Sequence, residues 1–518
     1  MRSTGAKGLT EQVEEKIAFV LSSLDRDPFS KTLGCFERLF WGWKLKDYPD
    51  ATLQRLIYPL VTYYYRIDSS FCEKQVFLPW AIRSFEYLRK IQHRDGSFDQ
   101  AFPNEHSHGA TAFLLYDLAR TYQIIKNDLK ASERKAIVQT LEDMGSFLIR
   151  NDEKHGLISN HLLGATAGLQ ALYSLTEDAQ YRNRASYYLE KVLSNQSSEG
   201  WFQEYGGADP GYQTLAIYYL AQYYLETGDR NAFLSLEKAI EFISFFIHPD
   251  GSFGGEYGSR NTEIFYPGGF APVRDQIPLA KSILSLMIDK IETGKTVNLQ
   301  SIDVGNLAPL LNNYLEVILR DRGQKTTFIN QIPFLRDPFT KEFKDAGLVV
   351  YNGESNYAII GVSKGGVIKE FDKKQGTRLR NDCGYIGRLR NGELVSTQQL
   401  CKPTYKLTER RLSICADFYQ IKQHIPDPYK FLVLRVLNLT LGKLYTIREA
   451  IKKLIVKTLI MNSKKVPFRL LREISFASPL KIRDKIEPEG FEDRFLHLEH
   501  GIKFSTIHMA SAKYWHYR

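Results

Sequence analysis

His106-Ser-His-Gly-Ala-Thr-Ala112 returns 55 residues later as His161-Leu-Leu-Gly-Ala-Thr-Ala167. Each copy opens a stretch whose apolar residues recur at helical spacing, 110–125 and 161–175, so each marks the start of a helix. The small residues at these starts let neighbouring helices approach closely. A second signal recurs between the helices. It reads Asp95-Gly96-Ser97-Phe98, Lys154-His155-Gly156-Leu157, Glu199-Gly200-Trp201-Phe202 and Asp250-Gly251-Ser252-Phe253, with the glycines 60, 44 and 51 residues apart. A period near 50 predicts a repeat whose unit is one turn and two helices. Glycine supplies the positive φ of the turn, and the apolar residue after it returns to the core. Stretches 211–226 and 273–288 continue the helical period. Hairpins stacked in this way close into a ring, with alternate helices lining its inside.

The pattern changes after about residue 325. Short β-type runs follow at 349–351, 357–362, 365–368, 384–389, 393–398 and 411–421, separated by Gly, Asn and Lys turns. The expected organisation is therefore a helical ring over 1–330 and an antiparallel sheet domain over 331–518. One segment, about 443–473, is helical in period and strongly basic, and is expected to be a helical insertion in the sheet domain.

A chain of 518 residues is too long for one ordinary core, and 43% hydrophobic residues suffice for two. Lys and Arg exceed Asp and Glu by 69 − 59 = 10, which points to an acidic partner. No zinc-finger spacing, RNP-like motif or Lys/Arg tail is found, so nucleic acid is the least expected partner. The five cysteines form no CxxC pair, which argues against a disulfide framework or a zinc site and for a reducing compartment. The first fifteen residues are polar, without the apolar stretch of a signal peptide, and no run of about 18 apolar residues predicts a membrane span. A cytoplasmic protein is expected. Its basic segment 443–473 is a candidate for peripheral contact with the anionic inner face of the membrane.

In a ring of hairpins the inner helices start at one mouth, so their first residues converge although they lie far apart in sequence. These starts carry Asn104-Glu105-His106-Ser107-His108, Asn160-His161 and Asp209-Pro210-Gly211-Tyr212-Gln213; the loop from Glu256 to Tyr266 joins them. The positive ends of the helix dipoles at such a mouth favour an anionic ligand. Taken singly, each residue has an ordinary explanation. Asn160 suits a helix cap, His161 a structural histidine, and Tyr212 is one of 30 tyrosines. His106 and His108 lack a third ligand at metal spacing.

Glu199-Gly-Trp-Phe-Gln-Glu-Tyr-Gly-Gly-Ala-Asp-Pro-Gly-Tyr-Gln213, with Ser159-Asn160-His161 before it, resembles the heparinase II/III-like polysaccharide lyases, relatives of the alginate lyases. Gly347-Leu-Val-Val-Tyr-Asn-Gly353, Tyr357 to Gly366 and Asn381-Asp382-Cys383-Gly384 are similar to the start of that family's sheet domain. The resemblance covers roughly 30–425. It implies an N-terminal (α/α) toroid, as an incomplete or six-hairpin ring, followed by an antiparallel β-sandwich. It also implies β-elimination on an acidic, uronate-containing glycan, with no cofactor or metal. In that chemistry the C5 proton is removed while donors stabilise the charge growing on the adjacent carboxylate. Asn160 and His161 would bind that carboxylate, and Tyr212 would act as base, acid or both. His106, His108, Trp201, Glu204, Arg260 and Tyr266 are the expected substrate contacts. Other readings are a uronyl C5-epimerase, a toroidal glycoside hydrolase using two carboxylates such as Glu105 with Asp209 or Glu204, and a non-catalytic glycan-binding protein. A cytoplasmic location would suit the making or processing of a surface polysaccharide, capsule or O-antigen, on a free or lipid-linked glycan.

Overall fold

The structure, a computed structural model, describes residues 7–44, 46–153, 157–321, 332–421, 427–444, 446–450 and 464–502. Helices come first: α1 (Leu9–Ser23), α2 (Arg38–Trp41), α3 (Ala51–Gln54), α4 (Ile57–Arg66), α5 (Lys74–Ile91), α6 (His108–Ile125), α7 (Ala131–Arg150), α8 (Ser159–Thr176), α9 (Ala179–Leu193), α10 (Pro210–Thr227), α11 (Arg230–Ser244), α12 (Pro278–Glu292) and α13 (Leu307–Arg320). Helices α4, α6, α8 and α10 pack side by side. The turn Pro267–Gly269 then joins α10 to α13, and α13 returns to α4, which closes the ring. Helices α5, α7, α9, α11, α12 and α1 lie outside it. The toroid expected from the repeats is thus present.

Burial separates the two layers. Helices α6, α8 and α10 bury residues on every face, polar ones such as Thr111, Asp117, Thr166 and Gln213 included. Outer helices such as α9 bury only a stripe, as expected of helices with one wet side.

The glycine turns repeat in detail. In three of them the glycine N–H donates to the carbonyl three residues back: Gly96 to His93 (2.9 Å), Gly200 to Ser197 (2.9 Å) and Gly251 to His248 (3.0 Å). The fourth motif, Lys154 to Gly156, lies outside the described residues. At Gly200, φ is +96°, and a Cβ would sit 2.3 Å from the Lys238 carbonyl oxygen on α11, so only glycine fits. A glutamine four residues before the glycine pins two of these turns. Gln196 Nε2 donates to the Gly200 and Ser235 carbonyls at 3.0 and 3.1 Å, and Gln92 Nε2 repeats the pattern on Gly96 and Thr140 at 3.1 Å each. Each glutamine ties a turn to the next outer helix.

The strands are β1 (Phe339–Phe343), β2 (Leu348–Asn352), β3 (Asn356–Gly361), β4 (Val367–Asp372), β5 (Thr377–Asp382), β6 (Tyr385–Leu389), β7 (Leu394–Ser396), β8 (Thr404–Leu407), β9 (Arg411–Ile421), β10 (Lys465–Ser475), β11 (Lys481–Glu487) and β12 (Phe495–His500). The first sheet is an antiparallel meander, β1 to β5. The second runs β11-β10-β9-β7-β6-β12, with β8 paired to β9. Strand β3 is buried along its whole length because the two faces of its sheet have different neighbours. Tyr357 and Ile359 join the core of the toroid, and the Tyr357 hydroxyl donates to the Phe245 carbonyl at 2.7 Å. Ala358 and Ile360 pack with Leu412, Ile414 and Ile474 of the second sheet. The core of the toroid therefore runs into the first sheet without a break.

The helical reading of 443–473 fails at its C-terminal end. Strand β10 takes Lys465–Ser475, with alternate residues buried, and so includes Arg469 and Arg472. Arg472 is wholly buried. Its guanidinium donates to both Asp484 carboxylate oxygens, at 2.9 and 2.7 Å, and to the Gly366 carbonyl at 2.7 Å. Charge in the sequence suggested a wet helix face, but a bidentate carboxylate inside the sandwich holds this one. Residues 451–463 lie outside the described residues. Helix α14 (Pro428–Leu439) precedes the segment.

If the toroid and first sheet share one core, damage to that sheet is felt by the whole chain. Ile359→Ala empties a fully buried site and is expected to destabilise by about 2–5 kcal/mol. Calorimetry should show the toroid and first sheet melting together at the lowered temperature. Two separated transitions, only one of them shifted, would contradict the shared core.

Candidate functional site

The site forms where α8 and α10 begin. Asn160, in the first turn of α8, is held by Glu204 from the loop before α10. Its backbone N–H donates to Glu204 Oε1 and its side-chain amide to Oε2, each at 2.8 Å. Glu204 is fully buried, and burial pushes its pKa up to about 8; the two bonds from Asn160 pull the other way. Two donors on two oxygens suit the ionised form. One amide hydrogen of Asn160 remains for a ligand. Glu204, expected among the substrate contacts, accepts two bonds from Asn160 and holds it in place.

His161 follows on the same helix and is partly exposed. Its Nδ1 lies 3.0 Å from Glu153 Oε2, and Phe113 meets the ring edge-on at 5.4 Å between centroids. With Nδ1 against Glu153, Nε2 is the ring nitrogen turned to a ligand. Space for the ring comes from Gly109 on α6, where a Cβ would lie 2.5 Å from His161 Nδ1. The repeat that predicted the fold thus sets the glycine of one copy beneath the histidine of the other.

Tyr212, partly buried, lies in the first turn of α10. Asp209 caps this helix: its Oδ1 accepts from the Tyr212 N–H at 3.1 Å. The other oxygen accepts from the backbone N–H of Arg260 at 2.8 Å and of Thr262 at 3.4 Å. Asp209 is itself buried, and one carboxylate fixes Tyr212 against the 260 loop. The Arg260 guanidinium lies 4.2 Å above the Tyr205 ring. Burial raises the Tyr205 pKa; Tyr212, Glu204 and Glu153 push it further up, and Arg260 opposes them. Tyr205 holds φ at +52°, a strained value for a residue with a side chain. Tyr266 is buried, near Tyr212, Arg55 and Tyr219, and burial holds its hydroxyl well above the usual tyrosine range.

Three expected contacts lie elsewhere. His106 is bound within its own turn: its Nδ1 is 2.6 Å from Asp95 Oδ2 and 2.8 Å from Ser97 Oγ, and its ring stacks on His93. His108 is buried with Nε2 2.9 Å from the Tyr188 hydroxyl, and burial pushes its pKa down to about 4. It stands behind Glu153, 3.8 Å from the carboxylate that holds His161. The Trp201 indole donates to Glu199 at 3.1 Å, and Glu199 accepts from the Asp345 and Ala346 N–H groups, so this pair ties the turn to the sheet domain. In each case a partner that periodicity does not reveal takes up the side chain.

Several residues escaped the sequence reading. Arg55 is buried; its Nε donates to Asp117 at 2.6 Å, its Nη2 to the Tyr219 hydroxyl at 2.9 Å, and its Cζ lies 5.1 Å from the Phe113 ring. Asn312 Nδ2 donates to the other Asp117 oxygen at 3.1 Å. Lys364, at the end of the first sheet, is buried and donates to Asn261 at 3.1 Å. Burial pushes its pKa down to about 8, against the pull of Asp209 and Cys383. The sheet domain thus supports the 260 loop from behind. Only Tyr205 carried a signal, in the Glu-Tyr-Gly-Gly run at 204–207.

Residues 51–270 match the family described as ulvan lyase N-terminal domain. No curated protein matches the chain. Among solved structures, a chondroitin AC lyase of Streptomyces coelicolor A3 in complex with chondroitin sulphate is similar at TM-score 0.53 and 10% identity, over 80% of this chain and 66% of that one. Heparinase III matches at TM-score 0.50 and 10% identity, over 83% and 62%. A Paenibacillus xanthan lyase matches at TM-score 0.50 and 12% identity, over 80% and 44%. The chain thus spans less than two thirds of the length of these structures, and at such identities the likeness is one of fold.

The Glu204 clamp has a measurable signature. Its folded pKa, about 8, lies above the ordinary 4.5, so its share of stability is full below about 4.5 and is lost as pH rises towards 8. In Glu204→Gln this loss should vanish from the pH dependence of Tm. The amide sets a donor against a donor of Asn160, so Tm should be lower overall, by the equivalent of about 1–3 kcal/mol. A variant with the same pH dependence as the parent would contradict the raised pKa of Glu204, and an unchanged Tm would rule out the clamp.

Proposed function

Taking the chain as a toroid-type polysaccharide lyase, we propose that it cleaves an acidic, uronate-containing glycan by β-elimination at the mouth of the ring. Its chief support is one observation: buried carboxylates hold Asn160 and His161 at the start of α8 and, through Asp209, the backbone N–H groups of Tyr212 and Arg260 at the start of α10. In this reading the free amide hydrogen of Asn160, with His161, binds the uronate carboxylate. Charge grows there as the C5 proton leaves, so donors already in place lower the barrier. The Tyr212 phenolate takes the C5 proton and becomes the hydroxyl. The C5–H electrons form the C4=C5 double bond, the C4–O bond breaks, and the departing oxygen takes the proton back from the Tyr212 hydroxyl, which restores the phenolate. Arg260 adds positive charge to the site, above the Tyr205 ring. The net charge of +10 agrees with an anionic chain as substrate.

Lyase action would show as a new ultraviolet-absorbing C4=C5 bond when the protein is incubated with acidic polysaccharides. An epimerase would instead incorporate solvent deuterium at C5 without chain cleavage. Tyr212→Phe is expected to lower turnover by ~10²–10⁴-fold with Tm nearly unchanged, because a proton-transfer group is lost and little packing with it. Asn160→Ala should lower it as well. Full activity in both variants would overturn the assignment.

A further inference from the structure

The second sheet carries a groove of about 480 Å³ on its outer face, lined by β8, β9, β10 and β11. Strand register explains its shape. Leu412, Ile414 and Ala416 of β9 pack inward against the first sheet, so Ser413 and Cys415 point outward. Lys406, Ser413, Glu473 and Arg483 are paired in one row across the four strands. Thr404, Cys415, Leu471 and Lys485 form the next row. The middle of the groove is therefore built from small or apolar side chains, Ser413, Cys415 and Leu471. Long cationic side chains stand on both sides of it. Glu473, the acid in these rows, is taken by Arg411 at 3.0 Å.

The walls hold charge that nothing in the fold uses. Lys406 and Arg483 are exposed, and among the described residues neither side chain has a hydrogen bond or an ion pair. Lys485 meets Glu489 at 3.0 Å, but both are open to water, where such a pair holds weakly. Three strand spacings of about 4.8 Å set the backbones of Lys406 and Arg483 ~14 Å apart. A small inorganic anion would need these cations side by side, whereas an apolar floor separates them. A chain of acidic sugars has C–H faces for such a floor and carboxylates for both walls. We propose that this groove is a second binding site for the acidic glycan, where a further stretch of the same polymer is held away from the mouth of the ring. The choice of ligand rests on the reading of the mouth given above, but the groove shares no residue with that site. Holding the polymer at two places raises its effective concentration at the mouth without any new contact there.

The test titrates the full chain with two polyuronates, polygalacturonate and alginate, and with neutral dextran. The protein should bind at least one polyuronate and not dextran. Lys406→Glu combined with Arg483→Glu should weaken that binding on the order of 10-fold, as expected from reversing two exposed charges. Circular dichroism and Tm should not change, because both side chains are exposed and unpaired. Cys415 on the groove floor gives a second readout that does not depend on affinity. Saturating polyuronate should slow its alkylation by iodoacetamide, read by peptide mass spectrometry, while the equally half-buried Cys72 of the toroid reacts as before. This protection should be lost in the double variant and kept in Asn160→Ala. Absence of the ultraviolet-absorbing product would therefore tell against the chemistry at the mouth and leave the groove standing. A parent that binds neither polyuronate, unchanged affinity in the double variant, or an unprotected Cys415 would each overturn the proposal. Equal protection by polyglutamate would overturn it too, since the groove would then read charge and not sugar.

Discussion

The carboxylate of Asp209 is buried in a place where an unsatisfied charge would be very costly. It draws donors from the backbone of two segments, the start of α10 and the 260 loop. The segments must therefore meet, and their meeting point is the mouth of the ring. Much of the site follows from this one demand. Tyr212 is placed by the cap, Arg260 by the second oxygen, and Tyr205 is held beneath the Arg260 guanidinium. Glu204 and Glu153 repeat the device one hairpin earlier, where buried acids hold Asn160 and His161. The ring brings the helix starts together, and the acids turn proximity into fixed geometry.

The ring could be read from the sequence because its repeats are local. A glycine turn, an apolar plug and a small-residue helix start each lie within a few residues, and all three kept their meaning in the fold. Asn160, His161 and Tyr212 were legible for the same reason, since they sit at helix starts that the repeats locate. Arg55, Asp117 and Asn312 were not, because their bonds join residues 62 and 195 positions apart. Lys364 was hidden likewise, its partner Asn261 being 103 residues away in the helical half of the chain. At His106 the pattern left out a local partner. Its proximity to the mouth was real, but Asp95 in the preceding turn had already taken the ring. The basic segment misled because charge was assumed to stay wet, and Arg472 found Asp484 inside the sandwich.

The first sheet sits between two bodies, with the toroid on one side and the second sheet on the other. Its central strands β3 and β4 bury both faces, a pattern more often met in parallel sheets covered by helices. It is also the route by which the sheet domain reaches the site. Lys364 ends this layer and grips the 260 loop, and Lys369 of β4 lies 2.8 Å from Glu256 and 3.3 Å from Glu263 in the same loop. The loop that carries Arg260 is therefore anchored from the toroid by Asp209 and from the sheet by two lysines.

The alternation along β3 has a consequence for how the chain can vary. Tyr357 and Ile359 answer to helices, Ala358 and Ile360 to the second sheet, so covalent neighbours share almost no packing partners. Volume changes at 357 or 359 must be compensated by residues such as those around Phe245, more than 100 positions upstream. Changes at 358 or 360 must be compensated downstream, around Leu412 to Ile474. Two substitutions side by side on this strand should thus behave as independent events, while each is coupled to a residue in a different half of the protein. Along these few residues the strand carries two interleaved sets of constraints, and divergence in one half of the chain leaves its record at every second position.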